Sequence, residues 1–274
     1  MPESYYLKQI VTFHHVMFVM LMEQLWVMIK QRVGVISLVM DKSVLVLGAS
    51  SVIGRLVVDK FILEGWSVLA YCNENNPFSG NDYNQKNVEV RNVDLQDIEQ
   101  LQKHLSKSNF SNISSFINCA GKIFPYRYSD SSYESIIESL KVNSISASLF
   151  IQKLLPLMIK MKYGRIVHLG SIGVKYGGGI NNYPYSLAKH LLEFFPAEIK
   201  QASKYNVLCN TVRVGFVNTG LHKKIPNKDF DERVSLIPIK RAAEPKEIIE
   251  MVFYLGSTMN TYTTCEVISV AGGE

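Results

Sequence analysis

The sequence predicts an α/β domain built as a doubly wound parallel sheet of about seven strands flanked by helices. Three observations lead there. Short apolar and β-branched runs alternate with helix-period patterns from residue 43 to the end of the chain. The first such run passes through a glycine-rich turn directly into a helix. Glycine and polar clusters then recur just after the strand runs, at the carboxyl ends where a sheet of this kind opens its ligand crevice.

The first strand is Ser43–Leu47, which stops at Gly48-Ala49-Ser50-Ser51-Val52-Ile53-Gly54. A helix follows, with Leu56, Val57, Phe61, Ile62 and Leu63 apolar and Gly65 as its stop. Such a turn aims backbone N–H groups and the positive end of a helix at an anion, which suits the diphosphate of a dinucleotide. The second strand, residues 66–71, ends in Cys72-Asn73-Glu74. An acid closing this strand would select a free 2′-hydroxyl on the adenine ribose. Cys72 and Asn73 supply none, which favours NADP(H), with Arg55 and Ser51 nearby to assist; Glu74 keeps NAD(H) as the alternative.

A polar loop runs through Asn84 to a third strand over 88–92, followed by Val93-Asp94-Leu95 and an amphipathic helix over 97–106. The fourth strand, 115–117, is capped by Asn118-Cys119-Ala120-Gly121. Residues 132–162 read as two helices meeting near Asn143, a poor helix former whose placement suits a cap or kink. A fifth strand over 165–169 ends at Gly170-Ser171, and a flexible loop over 177–182 precedes a helix containing Tyr185. Pro196 is expected to kink that helix. A sixth strand spans 207–214, a helix 244–255, and a last strand 265–270 before Gly272-Gly273.

With 274 residues, 47% apolar and 19% charged, the chain suffices for one α/β domain. Its 29 basic and 24 acidic residues leave +5 with no basic stripe, which argues against a nucleic-acid partner. Cys72, Cys119, Cys209 and Cys265 are far apart, lack metal-ligand spacing and read as core thiols of a reducing, cytoplasmic setting. Residues 1–39 differ from the rest. The apolar run 10–29 is long enough to span a bilayer, but His14, His15, Glu23 and Gln24 interrupt it and no small-residue cleavage site follows. The preferred reading is translation from Met40, which leaves 1–39 as a start-site extension, 40–274 as the domain, and a membrane-tethered form as the disfavoured alternative.

Tyr185 and Lys189 are four residues apart and share a helix face. A phenol titrates near 10, so proton exchange near neutrality requires roughly 4 kcal/mol of extra phenolate stabilisation. An ammonium about 4 Å away supplies roughly that at an effective dielectric of 20. The expectation is a tyrosine made usable by its lysine.

Together these motifs resemble the short-chain dehydrogenase/reductase family, with its Rossmann-type fold, over residues 41–273. The resemblance rests on the Gly48 to Gly54 turn, Asp94, the Asn118 to Gly121 run, Asn143, Ser171, Tyr185 with Lys189, and Gly215 to Thr219, in that order. It implies that Tyr185 is the general acid as hydride reaches a carbonyl, and the base in reverse. It implies further that Lys189 lowers the tyrosine pKa and binds the nicotinamide ribose, that Ser171 bonds the substrate oxygen, and that Asn143 holds a water linking Lys189 to solvent. For the cofactor it implies Gly48, Ser50, Ser51, Ile53 and Gly54 at the diphosphate, and Asn73, Asp94, Leu95, Asn118, Ala120 and Gly121 around the adenosine. Gly215, Val217 and Thr219 would meet the carboxamide. Val52 replaces a glycine of the pattern, Val214 a proline and Ala271 an aspartate; these departures bear on loop geometry and cofactor affinity rather than on reaction type.

The reading is therefore an NAD(P)-dependent oxidoreductase acting on a small carbonyl or alcohol, resembling 3-oxoacyl-carrier-protein reductases. The segment 216–241 would cover the substrate, with Lys223, Lys224, Lys228, Arg233, Lys240 and Arg241 set against Asp229, Asp231 and Glu232. An ordinary solvated lid is preferred there over an anionic or carrier-bound substrate. Phe124, Tyr126 and Tyr128 are candidates for the pocket wall. The resemblance also implies a homo-oligomer, dimer or tetramer. The competing class is a non-catalytic dinucleotide-binding sensor or scaffold, which the intact Asn143, Ser171, Tyr185 and Lys189 set argues against.

Overall fold

Seven strands make one parallel sheet in the computed structural model: β1 (Ser43–Leu47), β2 (Ser67–Cys72), β3 (Val88–Asn92), β4 (Ser115–Asn118), β5 (Gly164–Ser171), β6 (Val207–Val214) and β7 (Val267–Val270). Their order across the sheet is β3-β2-β1-β4-β5-β6-β7, and each neighbouring pair is parallel. The chain winds outward from β1 to β3 and then returns to lay β4 beside β1. The order reverses between β1 and β4, and there the crevice of a doubly wound sheet opens. The structure describes residues 42–73, 76–78, 87–219 and 230–274, which belong to a unit spanning Asp41–Glu274. The expectations for residues 1–39, the Met40 start, Glu74, Lys223, Lys224, Lys228 and Asp229 lie outside the described residues.

The helices are α1 (Val52–Leu63), α2 (Ile98–Lys107), α3 (Tyr133–Leu140), α4 (Ser146–Met161), α5 (Tyr183–Leu191), α6 (Ala197–Ala202), α7 (Phe230–Ser235) and α8 (Pro245–Gly256). Strand periodicity divides the core into two layers. Val44, Val46, Val68, Ala70, Ile117 and Val167 meet Val57 and Phe61 of α1 and Ile248, Val252 and Phe253 of α8. Leu45, Leu47, Leu69, Phe116 and Ile166 face Leu101 of α2, Phe150, Leu154 and Met158 of α4, and Ile199 of α6. With both faces covered, β1 reads as an unbroken apolar run rather than an alternation. The helical run Tyr133–Met161 is long and apolar enough to cross a membrane. It serves here as a core helix, since Phe150, Leu154 and Met158 are fully buried.

Helix starts follow local chemistry. Ser51, Asp97 and Ser132 accept backbone N–H bonds at the N-caps of α1, α2 and α3, and Glu244 forms a capping box with Glu247 ahead of Pro245. Three expectations change. The break near Asn143 is a π-helical turn, Lys141–Ile145, that joins α3 to α4. Pro196 does not kink the Tyr185 helix; α5 already ends at Leu191, and Pro196 is the N-cap of α6, where its missing N–H removes no helical bond. The last strand begins at Val267, because Cys265 takes a left-handed conformation at φ 57°. Cys72, Cys119 and Cys209 are buried and Cys265 is half-buried, all as free thiols.

One buried cation holds the lower edge together. Arg165 on β5 is 2% exposed, stacks on Tyr163 with its guanidinium carbon 4.3 Å from the ring centre, and donates to the carbonyls of Gly164, Asn206 and Asn260. Arg165→Met leaves the Asn260 carbonyl without its donor in the core and removes one of the two donors to the Asn206 carbonyl, which keeps Gly164 N–H. It should lower unfolding stability by about 3 kcal/mol, read from denaturant midpoints at constant m.

Candidate active site

The site forms at the carboxyl ends of β1, β4, β5 and β6, beginning with the glycine turn. Gly48 stands at φ 74°, and a Cβ there would lie 2.7 Å from the Ala120 backbone, so the turn packs directly on the chain leaving β4. A Cβ on Gly54 would lie 2.3 Å from the Gly48 carbonyl oxygen, so neither position admits a side chain. The Ser51 hydroxyl accepts from Gly54 N–H at 3.0 Å and sets the start of α1. Ser51 and Val52 are exposed, and Ser50 and Ile53 half-buried, around the first free N–H groups of that helix. Val52 is 41% exposed, so the glycine it replaces is not required for turn geometry. The arrangement fits a dinucleotide diphosphate on chemical grounds: tight approach, free donors and a positive helix end.

Around the adenosine end, Cys72 is buried beside Ser50 and Asn73 is exposed. Asp94 is exposed and its carboxylate accepts from Gln96 N–H at 2.9 Å, while Leu95 is half-buried. Asn118 differs from its expected role. Its side chain is fully buried, accepts from Ala120 N–H at 3.2 Å, and lies 3.3 Å from His168 Nδ1. It therefore braces the Ala120-Gly121 turn rather than facing the crevice. Gly215 is pinned by a bond from its N–H to the Val270 carbonyl at 3.0 Å, and Ala271 lies so close that a Cβ on Gly215 would meet it at 2.6 Å. Val217 is buried, and Thr219 donates its N–H to the Val217 carbonyl at 2.7 Å.

Tyr185 and Lys189 both rise from α5 and are 9% and 2% exposed. Ser171 closes β5, where its hydroxyl accepts from Gly173 N–H. Lys189 Nζ donates to the Ala120 carbonyl and to the Leu169 carbonyl, each at 2.8 Å. It lies 5.8 Å from the centre of the Tyr185 ring. Burial pushes the Tyr185 phenol up to about 12, and the neighbouring Ser171 hydroxyl draws it down. Burial likewise pushes Lys189 down to about 8. Desolvation is the larger influence on the phenol, and the group that favours the phenolate is Ser171.

Asn143 is fully buried beside the turn after β4. In the π-turn its side chain accepts from Lys122 N–H and donates to the Lys122 carbonyl, both at 2.9 Å, and it donates as well to Ser139. The turn after β4 is therefore gripped at two points. Gly121 lies between the two groups, since a Cβ there would be 3.6 Å from Lys189 Nζ and 3.8 Å from Asn143 Oδ1. Sequence reading missed Lys122, Ser139 and His168. The only signal for His168 was a polar residue inside an apolar strand, and its meaning depends on a register that pairs it with Asn118. Phe124 is buried, whereas Tyr126 and Tyr128 are exposed.

The drop of Lys189 from 10.5 to about 8 has a stability consequence. Between those values the unfolded chain holds a proton that the folded chain has lost, so stability rises with pH there. The stability of wild type relative to Lys189→Met should increase by about 2 kcal/mol between pH 8 and pH 10, measured by denaturant unfolding at each pH.

Comparison with known proteins agrees with this geometry. A family model described as enoyl-(acyl carrier protein) reductase matches residues 48–274. The 3-oxoacyl-[acyl-carrier-protein] reductase FabG of Buchnera aphidicola subsp. Schizaphis graminum is 29% identical over 241 residues, 85% of this chain and 96% of that protein. The FabG of Thermotoga maritima is 27% identical over 252 residues, 85% of this chain and 97% of that protein. Among solved structures, a single-substitution variant of actinorhodin polyketide ketoreductase with NADPH superposes with a TM-score of 0.75 at 22% identity, covering 85% of this chain and 97% of that one. A 3-oxoacyl-[acyl-carrier protein] reductase from Brucella melitensis with bound NAD gives 0.75 at 21% identity, over 85% and 90%. Glycine turn, buried Tyr-Lys pair and family match together make the chain a member of the short-chain dehydrogenase/reductase family, an NAD(P)-dependent oxidoreductase.

Proposed function

We propose that the protein reduces the ketone of a 3-oxoacyl thioester or a similar small carbonyl compound, with residues 40–274 as the NAD(P)-binding domain and Asn143, Ser171, Tyr185 and Lys189 as its working set. The observation behind this reading is the meeting of two hydroxyls, Ser171 at the end of β5 and Tyr185 on α5, beside a buried ammonium. Two hydroxyls converging on one point suit a single carbonyl oxygen that gains negative charge.

The nicotinamide supplies hydride to the carbonyl carbon when bound. Ser171 holds the oxygen, and Tyr185 donates its phenolic proton to it as the charge develops. Lys189 stabilises the phenolate left behind, and its ammonium is kept on that side by Ala120 and Leu169. Asn143 supports this by fixing Lys122 and thereby Gly121, which presents only hydrogen toward Lys189. The lack of an acid at Cys72 and Asn73 supports NADP(H) over NAD(H). That the relatives are 3-oxoacyl-[acyl-carrier-protein] reductases supports a carrier-bound substrate. Exposed Leu191 and Phe194, at and just beyond the end of α5, support a homo-oligomer that buries them, and the free thiols of Cys72, Cys119, Cys209 and Cys265 support a reducing, cytoplasmic setting.

The test uses purified full-length protein with NADPH and, in parallel, 3-oxoacyl and 2-enoyl thioesters. Turnover of the ketone is expected. Reduction of the enoyl compound alone would overturn the proposal. Tyr185→Phe should lower kcat by about 10³-fold with NADPH affinity little changed, because only the proton donor is lost. Ser171→Ala should lower kcat by about 10²-fold.

A further inference from the structure

We propose that His168 is a positioning residue for Lys189, acting through the side chain of Asn118 and the backbone of Ala120. The functional side of this inference rests on the role given to Lys189 above; its structural side does not. Lys189 Nζ donates to the Ala120 carbonyl, Ala120 N–H donates to Asn118 Oδ1 at 3.2 Å, and Asn118 Nδ2 reaches His168 Nδ1 at 3.3 Å. The register of β4 against β5 places Asn118 directly opposite His168. The next residue of β5, Leu169, provides the second carbonyl that holds the ammonium.

Only one arrangement of protons satisfies this chain. Ala120 N–H needs an acceptor, so the Asn118 amide must present Oδ1 to it. Nδ2 then points at the imidazole as a donor, so His168 must be neutral, with Nδ1 bare and its proton on Nε2. Burial and the nearby lysine keep it neutral, pushing the imidazole down to about 4. Asn118 is 0% exposed and His168 6%, so water does not take over the role of acceptor. Without the imidazole, the amide has a buried donor with no partner and no reason to hold its orientation. Ala120 then loses its brace, and with it the carbonyl that fixes the ammonium.

The test compares wild type, His168→Leu and His168→Asn as full chains. Asn keeps an acceptor opposite Asn118; Leu keeps bulk without one. Amide hydrogen exchange is read at Ala120 and at Cys119, whose N–H is held by the Leu47 carbonyl in the sheet and serves as the control. In His168→Leu the Ala120 amide should exchange about tenfold faster with Cys119 unchanged, and in His168→Asn both should match wild type. In turnover with NADPH, His168→Leu should lose about tenfold in kcat with the KM of the ketone unchanged, and His168→Asn should restore it. Added to Lys189→Met, the leucine substitution should cost less than about twofold more, since the residue it positions is gone. Unchanged protection at Ala120, or equal acceleration at Ala120 and Cys119, would overturn the proposal. So would equal kcat losses with and without Lys189. If the leucine variant fails to fold, His168→Ala takes its place. Wild type that neither binds NADPH nor reduces a ketone would overturn the functional reading instead, while the exchange experiment still decides the role of His168.

Discussion

The buried ammonium of Lys189 is the constraint to which the rest of the site conforms. It is 2% exposed, and among the described residues no carboxylate pairs with it. Two backbone carbonyls hold it instead, one from the turn after β4 and one from β5. Its fall from 10.5 to about 8 amounts to about 3 kcal/mol that the fold must supply to keep the charge. A carbonyl dipole is a weak partner unless it is fixed in place, so both strand ends must be rigid. The neighbouring structure meets that demand. Asn118 braces Ala120 from below, and Asn143 grips Lys122 from the π-turn.

This explains why a helix is interrupted where it is. A regular helix through residues 141–145 would rotate the Asn143 side chain away from one of its two jobs, contact with Ser139 on its own helix and contact with the turn after β4. The π-turn serves both. Gly121 lies between Asn143 and Lys189, where a Cβ would stand at ordinary contact distance from both, 3.6 Å from Nζ and 3.8 Å from Asn143 Oδ1. The same economy of space governs the glycine turn: Gly48 sits against the Ala120 backbone, so the glycine turn and the lysine cradle are in direct backbone contact.

The tyrosine is poised rather than ionised. Burial pushes it up to about 12, and Ser171 is the neighbour that opposes this. A phenol that keeps its proton is the correct starting state for a general acid, and its neighbour is also the hydroxyl suited to share the substrate oxygen. In the proposed mechanism the lysine contributes once the proton has left, when an ammonium 5.8 Å from the ring centre favours the phenolate in a site with little water.

Much of this was legible in the residues. The strand runs, the glycine turn and the polar clusters at strand ends gave the doubly wound sheet, because β-branched periodicity and φ-permissive glycines are local properties. Asn143, Ser171, Tyr185 and Lys189 were singled out through the family resemblance, with the four-residue spacing of Tyr185 and Lys189 as the local signal, and Val88–Asn92 and Val207–Val214 fall where periodicity placed them. Local pattern alone misassigned Pro196, because a helix end set by packing and a helix break set by proline look alike in one dimension. What only the tertiary structure decided is which atoms face which. That Lys189 meets two carbonyls before it meets the phenol, that Asn118 turns inward to His168 and that Asn143 clamps Lys122 all depend on the register of β4 with β5 and the packing of α3 against α5. Residue types and spacing determine the available donors, acceptors and charges; their pairing and desolvation are set only when strands distant in sequence lie side by side.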